Sequence, residues 1–132
     1  MRKAKASGSM RWVAVAGALL AGLAVALGAF GAHGLRDVLG AQQLGWWQTA
    51  AHYHLPHAVA LMAIGLCGSK RLRAAAWLLA GGTVVFAGSL YLLALTGWRM
   101  LGMITPLGGV LLIVGWLLLA WRLSSAAPDG DS

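Results

Sequence analysis

The sequence predicts an all-α membrane protein, a four-transmembrane-helix bundle with both termini in the cytoplasm. Three observations lead there. Hydrophobic residues make up 60% of the 132 and charged residues 10%, against roughly 25% charged in soluble domains. Apolar runs of about 20 residues recur, the length that crosses a hydrocarbon core of about 30 Å. Of the 10 Lys and Arg, Arg2, Lys3, Lys5, Arg11, Lys70, Arg71, Arg73 and Arg122 fall on one side of such a bundle. Only Arg36 and Arg99 fall on the other, and the richer side is cytoplasmic. The tryptophans form a matching belt, with Trp12, Trp77 and Trp121 at inner boundaries and Trp46, Trp47 and Trp98 at outer ones. Trp116 alone lies about a turn deeper.

Residues 1–11 read as a basic cytoplasmic tail. The uncharged run that follows, 12–32, is longer than the 7–15 residues of a leader peptide's apolar core, so it is expected to be retained as a first span near 12–33. At 1.5 Å per residue that span is about 33 Å long. Ala14, Ala18, Gly22 and Ala26 recur at fourfold spacing, a small-residue row that lets helices approach closely. Gly34 is expected to end the helix in the left-handed conformation. Residues 34–49 suggest a loop with a short interfacial helix, Leu44, Trp47 and Ala51 on one face and Gln42, Gln43 and Gln48 off it.

The second span is expected near 48–69 with a kink at Pro56. A helix confined to 56–69 would reach only about 21 Å, too short to cross. The kink frees the His52 carbonyl and sets His57 within about a turn of the midplane. Lys70, Arg71 and Arg73 mark the next loop, and a third span is expected near 74–95. The fourth lies near 100–121, with two admissible starts: Met100, or Pro106 capped by Thr105. The membrane domain thus runs from 12 to 123, and 124–132 is expected to be a disordered tail. A weak internal echo, Leu19–Gly22 against Leu78–Gly81, is compatible with a duplicated hairpin or with chance. Gly22, Gly28, Gly81, Gly88, Gly108 and Gly109 are the expected helix-packing glycines.

These residues also form a family pattern. The segments Gly28-Ala29-Phe30-Gly31-Ala32-His33-Gly34-Leu35, Tyr53 with His57-Ala58 and Ala60-Leu61, Gly88-Ser89-Leu90-Tyr91-Leu92, and Ile104-Thr105-Pro106-Leu107-Gly108-Gly109 resemble those of the domain-of-unknown-function 423 family. Its members are small bacterial inner-membrane proteins with multi-span eukaryotic relatives. The resemblance covers residues 28–116 and implies a four-span protein of the bacterial inner membrane. It brings no activity, substrate or catalytic residue with it. His54 and Pro56 depart from the less polar stretch of that pattern.

The net charge of +7 sits in short clusters beside apolar runs, so nucleic acid is not an expected partner; the lipid bilayer is, with room for a membrane-protein partner or a second copy. Cys67 is the sole cysteine, which excludes an intramolecular disulfide and reads as a small buried apolar side chain. Catalysis needs a nucleophile–base pair or paired carboxylates. The only acids are Asp37 beside Arg36 and Asp129 and Asp131 in the tail, so no enzyme is expected, no catalytic residue and no cofactor. Nor is a metal site expected, because His33, His54 and His57 have no carboxylate or thiolate placed to help.

Polarity within the spans is one-sided. His33, His52, Tyr53, His54, His57, Ser89, Tyr91 and Thr105 fall in the outer half, whereas 13–22, 58–67, 74–82 and 110–120 hold nothing more polar than Cys and Trp, and Thr83 is intermediate. His57 is either a neutral packing imidazole bonded to the His52 carbonyl or a tyrosine, or a functional group. His33 is either a helix-end cap or part of a site. The reading drawn from this asymmetry is an outward-facing pocket of His33, His57, Tyr53, Ser89, Tyr91 and Thr105 that takes a small molecule, a lipid or a partner membrane protein. The competing reading is a small transporter or channel completed by oligomerisation.

Overall fold

A computed structural model describes residues 8–125; the remainder of the two expected tails lies outside the described residues. Among these residues the chain forms four helices and no strand: α1 (Gly8–His33), α2 (Ala41–Cys67), α3 (Arg73–Thr96) and α4 (Leu101–Ser124), with a 3-10 turn at Lys70–Leu72. Three segments, Met10–His33, Lys70–Thr96 and Leu101–Ser124, are long and apolar enough to cross a membrane. Helix α2 has the length, 27 residues, but its histidines and glutamines dilute its apolar character.

Several boundaries differ from the sequence-based expectation. The interfacial helix and the second span are one continuous helix, about 40 Å long, that passes through Pro56. Its start is held by the Gln43 side chain, which accepts from the Gly40 amide at 3.3 Å. It ends at Gly68, in the left-handed conformation (φ 68°), so Cys67 is its last residue and exposed rather than buried. Helix α4 starts at Leu101 and carries Pro106 inside it, the earlier of the two admissible starts. Gly97, also left-handed, closes α3 by donating to the Leu93 carbonyl at 2.8 Å.

Gly34, by contrast, does not take a positive φ. The turn there is closed by Gly34 and Leu35, both donating to the Phe30 carbonyl at 2.7 and 3.1 Å. A Cβ at Gly34 would lie 2.7 Å from the ring of the exposed Phe30, which would have to swing aside to admit it.

The buried positions of α1 recur every seven residues, at Met10, Gly17, Ala24 and Gly31, as do Leu101, Gly108 and Gly115 of α4. That spacing is the seam of helices packed in the left-handed sense. It displaces the fourfold row, of which Ala18, Gly22 and Ala26 are exposed. Close backbone contacts follow chain order, α1 on α2, α2 on α3 and α3 on α4. Gly17 lies on the backbone of Ala58 and Met62, Gly65 on Ala14, and Gly108 on the backbone of Phe86. One apolar core, including Met10, Leu61, Leu79 and Leu119, fills the end near the chain's start. A second, with Leu35, Trp47, Leu90 and Leu101, fills the opposite end. Most of the outward surface is apolar, with Leu19, Val25, Val84, Leu107 and Leu117 exposed, as a lipid-facing perimeter requires.

Candidate functional site

Between the two cores, α2 presents its histidines in two directions. His54 and His57 are three residues apart, so they occupy adjacent stripes of one helix. Both are buried, at 4% and 9% exposure, whereas Tyr53 on the outer stripe is 44% exposed.

His57 turns toward α4. Its Nδ1 lies 2.6 Å from the Tyr53 carbonyl, and its Nε2 accepts from the Trp116 indole at 3.0 Å. An indole only donates, so Nε2 must be bare and Nδ1 must carry the proton, which goes to Tyr53. The imidazole is neutral and both nitrogens are used. Its partners are therefore not the His52 carbonyl or a tyrosine hydroxyl, the two considered from sequence. Tyr53 packs against Phe86, rings 4.8 Å apart.

Ser89 and Thr105 link α3 to α4, their hydroxyl oxygens 2.6 Å apart. Each is also within reach of a carbonyl one turn back, Phe86 for Ser89 and Leu101 for Thr105. Every polar atom in this pair has a partner.

His54 turns the other way. Its Nδ1 is 3.0 Å from the Tyr91 hydroxyl, and the Tyr91 ring lies 4.6 Å from that of Trp47. Trp47 donates to the Leu27 carbonyl of α1 at 2.8 Å, which ties α1, α2 and α3 together at one level. The remaining nitrogen, His54 Nε2, faces the Leu20 backbone of α1 but makes no hydrogen bond. A buried polar atom left so costs about 1–3 kcal/mol.

A groove runs between α1 and α3 above this point, with α2 as its floor. One stretch, of 160 Å³, is lined by Leu20, Leu23, His54, Val84, Gly88 and Tyr91 among others. A second, of 240 Å³, continues from Leu20 past Leu61 to Trp12 and Trp77.

The six residues expected to share one pocket are thus distributed. Tyr53 and His57 face α4 and Phe86, Ser89 and Thr105 close on each other, Tyr91 lies with His54 on the groove side, and His33 is exposed at the end of α1. No hydrogen bond among the described residues joins these groups. Among the described residues, too, no three His, Cys, Asp or Glu side chains gather in a way that could hold a metal ion. Of the expected packing glycines, Gly108 lies against Phe86 and Gly109 in ordinary contact with its ring, while a Cβ at Gly22, Gly28, Gly81 or Gly88 would meet nothing within 4 Å. Gly22, Gly28 and Gly81 thus meet open space within a single chain, and Gly88 borders the groove between α1 and α3.

The pocket expected from sequence left out His54 and Trp116. Trp116 had announced itself as the one tryptophan displaced from the belt. His54 stood out only as one of four nearby polar residues, and nothing in the sequence singled out its partner, 37 positions away.

Long apolar helices, an apolar perimeter and polar groups satisfied internally define a multi-pass membrane protein. Comparison with known families agrees. The family model described as "Protein of unknown function (DUF423)" matches residues 27–109, and the chain belongs to that family. It is 50% identical over 113 residues to the UPF0382 membrane protein SSP2132 of Staphylococcus saprophyticus, covering 83% of this chain and 94% of the relative. To the Bacillus subtilis UPF0382 membrane protein YwdK it is 44% identical over 115 residues, covering 83% and 94%. The Escherichia coli UPF0382 inner membrane protein YgdD is 41% identical over 115 residues, covering 83% and 86%. No solved structure matches the chain. The protein is a multi-pass protein of the inner membrane, from a family without assigned activity.

Proposed function

We propose that the chain is a four-span binding module, not an enzyme, and that the groove between α1 and α3 takes a small amphiphile from the bilayer. The observation that carries this reading is the groove itself, apolar along its length, open beside Gly88 and backed by the buried His54–Tyr91 pair. Of the other buried polar side chains, Ser89 is paired with Thr105 and His57 with Trp116 across to α4, away from the groove.

Four spans are supported by the way α2 lies along α1. Trp47 meets Leu27 and Gly31 near one end and Gly65 meets Ala14 near the other, so a bilayer crossed by α1 is crossed by α2. The distribution of Lys and Arg supports cytoplasmic termini. On that orientation His54 and Tyr91 lie in the outer half of the membrane and the site opens sideways into lipid, not into the periplasm.

The test is the full chain extracted with its surrounding lipid and the bound molecules identified by mass spectrometry. An amphiphile should be retained by the wild type and lost from Gly88→Leu, whose new side chain enters the groove. Identical lipid content in the two proteins would remove the reading. A second reading, a transporter or channel completed by oligomerisation, is favoured by the outward faces around Gly22 and Gly81, which suit a second copy. Flux of protons or solute in liposomes would favour it.

A further inference from the structure

We propose that a second cleft, separate from the groove, binds a phosphate group. It opens where the start of α2 faces the turn between α3 and α4, at the end of the bundle opposite the chain's start. Two overlapping stretches make it up. One, of 360 Å³, is lined by Gln42, Trp46, Leu93, Arg99 and Gly102. The other, of 340 Å³, repeats Gln42, Trp46 and Arg99 and adds Gly40, Ala41, Gln43 and Gly97. Each has the space of about a dozen water molecules, room for a phosphate ester. Neither shares a residue with the groove between α1 and α3, so the two sites stand or fall separately.

Local geometry fixes one donor. The Gln43 Oε1 accepts from the Gly40 amide at 3.3 Å, which settles which end of the carboxamide is oxygen. Its Nε2 is turned across the cleft, 3.8 Å from where a Cβ on Gly97 would stand. Gly97 itself is left-handed (φ 68°), a conformation that a side chain would strain, so this edge of the cleft stays bare. Both N–H groups of the Gln43 amide are left for a ligand.

Charge and donor count select the ligand. Arg99 is the one formally charged residue in the lining, and Asp37, the one acid among the described residues, is not part of it. Arginine and tryptophan side chains only donate. With the Gln43 amide nitrogen, Arg99 and Trp46 therefore make a wall rich in donors under a positive charge. A cation would be repelled there, and a neutral sugar would need as many acceptors for its own hydroxyls. A phosphate is all acceptor, and two of its oxygens match the guanidinium fork. Leu93 and Gly102 keep one side apolar, which suits the headgroup of a phospholipid in the adjoining leaflet as well as a free phosphate. On the proposed orientation this end is periplasmic, where the bias in Lys and Arg works against a cation; Arg99 is one of two there among 10.

The experiment uses the full chain in dodecyl maltoside, a detergent without phosphate, titrated with dihexanoylphosphatidylglycerol. The Trp46 indole N–H resonance, assigned by its loss in Trp46→Phe, reads occupancy. In the wild type it should shift saturably. Arg99 is exposed, so its replacement should leave the fold intact. Arg99→Gln should weaken binding at least tenfold, and Arg99→Lys, which keeps the charge and loses the fork, should weaken it less. Arg36→Gln removes the same charge at the same end from outside the cleft, and Gly88→Leu alters only the groove; both should bind within threefold of wild type. No saturable shift, or wild-type binding by Arg99→Gln, would overturn the site and leave the groove reading untouched. An equal loss in Arg36→Gln would overturn it in favour of the general charge of that end. Equal binding of dihexanoylglycerol, which lacks the phosphate, would overturn phosphate recognition, and equal displacement by acetate would do so in favour of anions at large. With those arms passed, displacement by inorganic phosphate supports a site for free phosphate, and resistance to it supports a headgroup site.

Discussion

The indole of Trp116 donates to Nε2 of His57 across the α2–α4 interface at 3.0 Å, one residue beyond the proline inside α2. The bond fixes the tautomer of His57 and makes α4 a support for the one stretch of α2 that lacks a helical hydrogen bond.

Removing one partner of this bond should cost more than removing both. Trp116→Phe leaves a buried imidazole nitrogen unpaired, a loss of about 1–3 kcal/mol. The double variant His57→Phe/Trp116→Phe removes the need for the bond, so it should recover part of that loss. Unfolding in detergent, read as a double-mutant cycle, measures the coupling; additive single effects would show that the contact contributes nothing.

The glycines separate into two sets. Gly17→Leu, Gly65→Leu and Gly108→Leu drive a side chain into the backbone of a neighbouring helix and should destabilise by at least the 1–3 kcal/mol typical of overpacking. Gly22→Leu and Gly81→Leu place theirs in open space and should fall within about 0.5 kcal/mol of wild type, as melting temperatures in detergent would register. A large loss at Gly22 or Gly81, dependent on protein concentration, would instead reveal a second copy on that face.

Orientation is tested by reporter fusions. Those placed after Gly40 and after Gly97 should read as periplasmic, and those after Ser69 and Ser125 as cytoplasmic. A cytoplasmic signal after Gly40 would remove α2 from the membrane and, with it, the assignment of His54 to the outer half.

Most of the helical layout was legible because the spans announce themselves by length and lack of charge. The start of α2 was not, since Pro56 and the polar Gln42–Gln48 stretch look like a break; in the fold, packing of Trp47 and Ala50 keeps the backbone helical from Ala41 onward. The shared pocket failed on helix rotation. Ser89 and Tyr91 are two residues apart, about 200° around α3, so one faces α4 while the other faces α2. That much was derivable from spacing alone. The pairing of His54 with Tyr91 was not, because it depends on how far α2 and α3 slide past each other, and apolar sequence leaves that register undetermined.

Packing in chain order has a consequence for biogenesis. On the proposed four-span topology, each helix after α1 would leave the translocon with its principal neighbour already in the bilayer, so α1 and α2 can dock while α3 is still being synthesised. Contacts of this kind are local in sequence and form quickly. The exception is the bond from Trp116 to His57, which spans 59 positions and cannot form until most of α4 has emerged. Until then the proline-weakened segment of α2 is without its support, and chain termination before residue 116 would leave a docked three-helix intermediate with that segment unlatched.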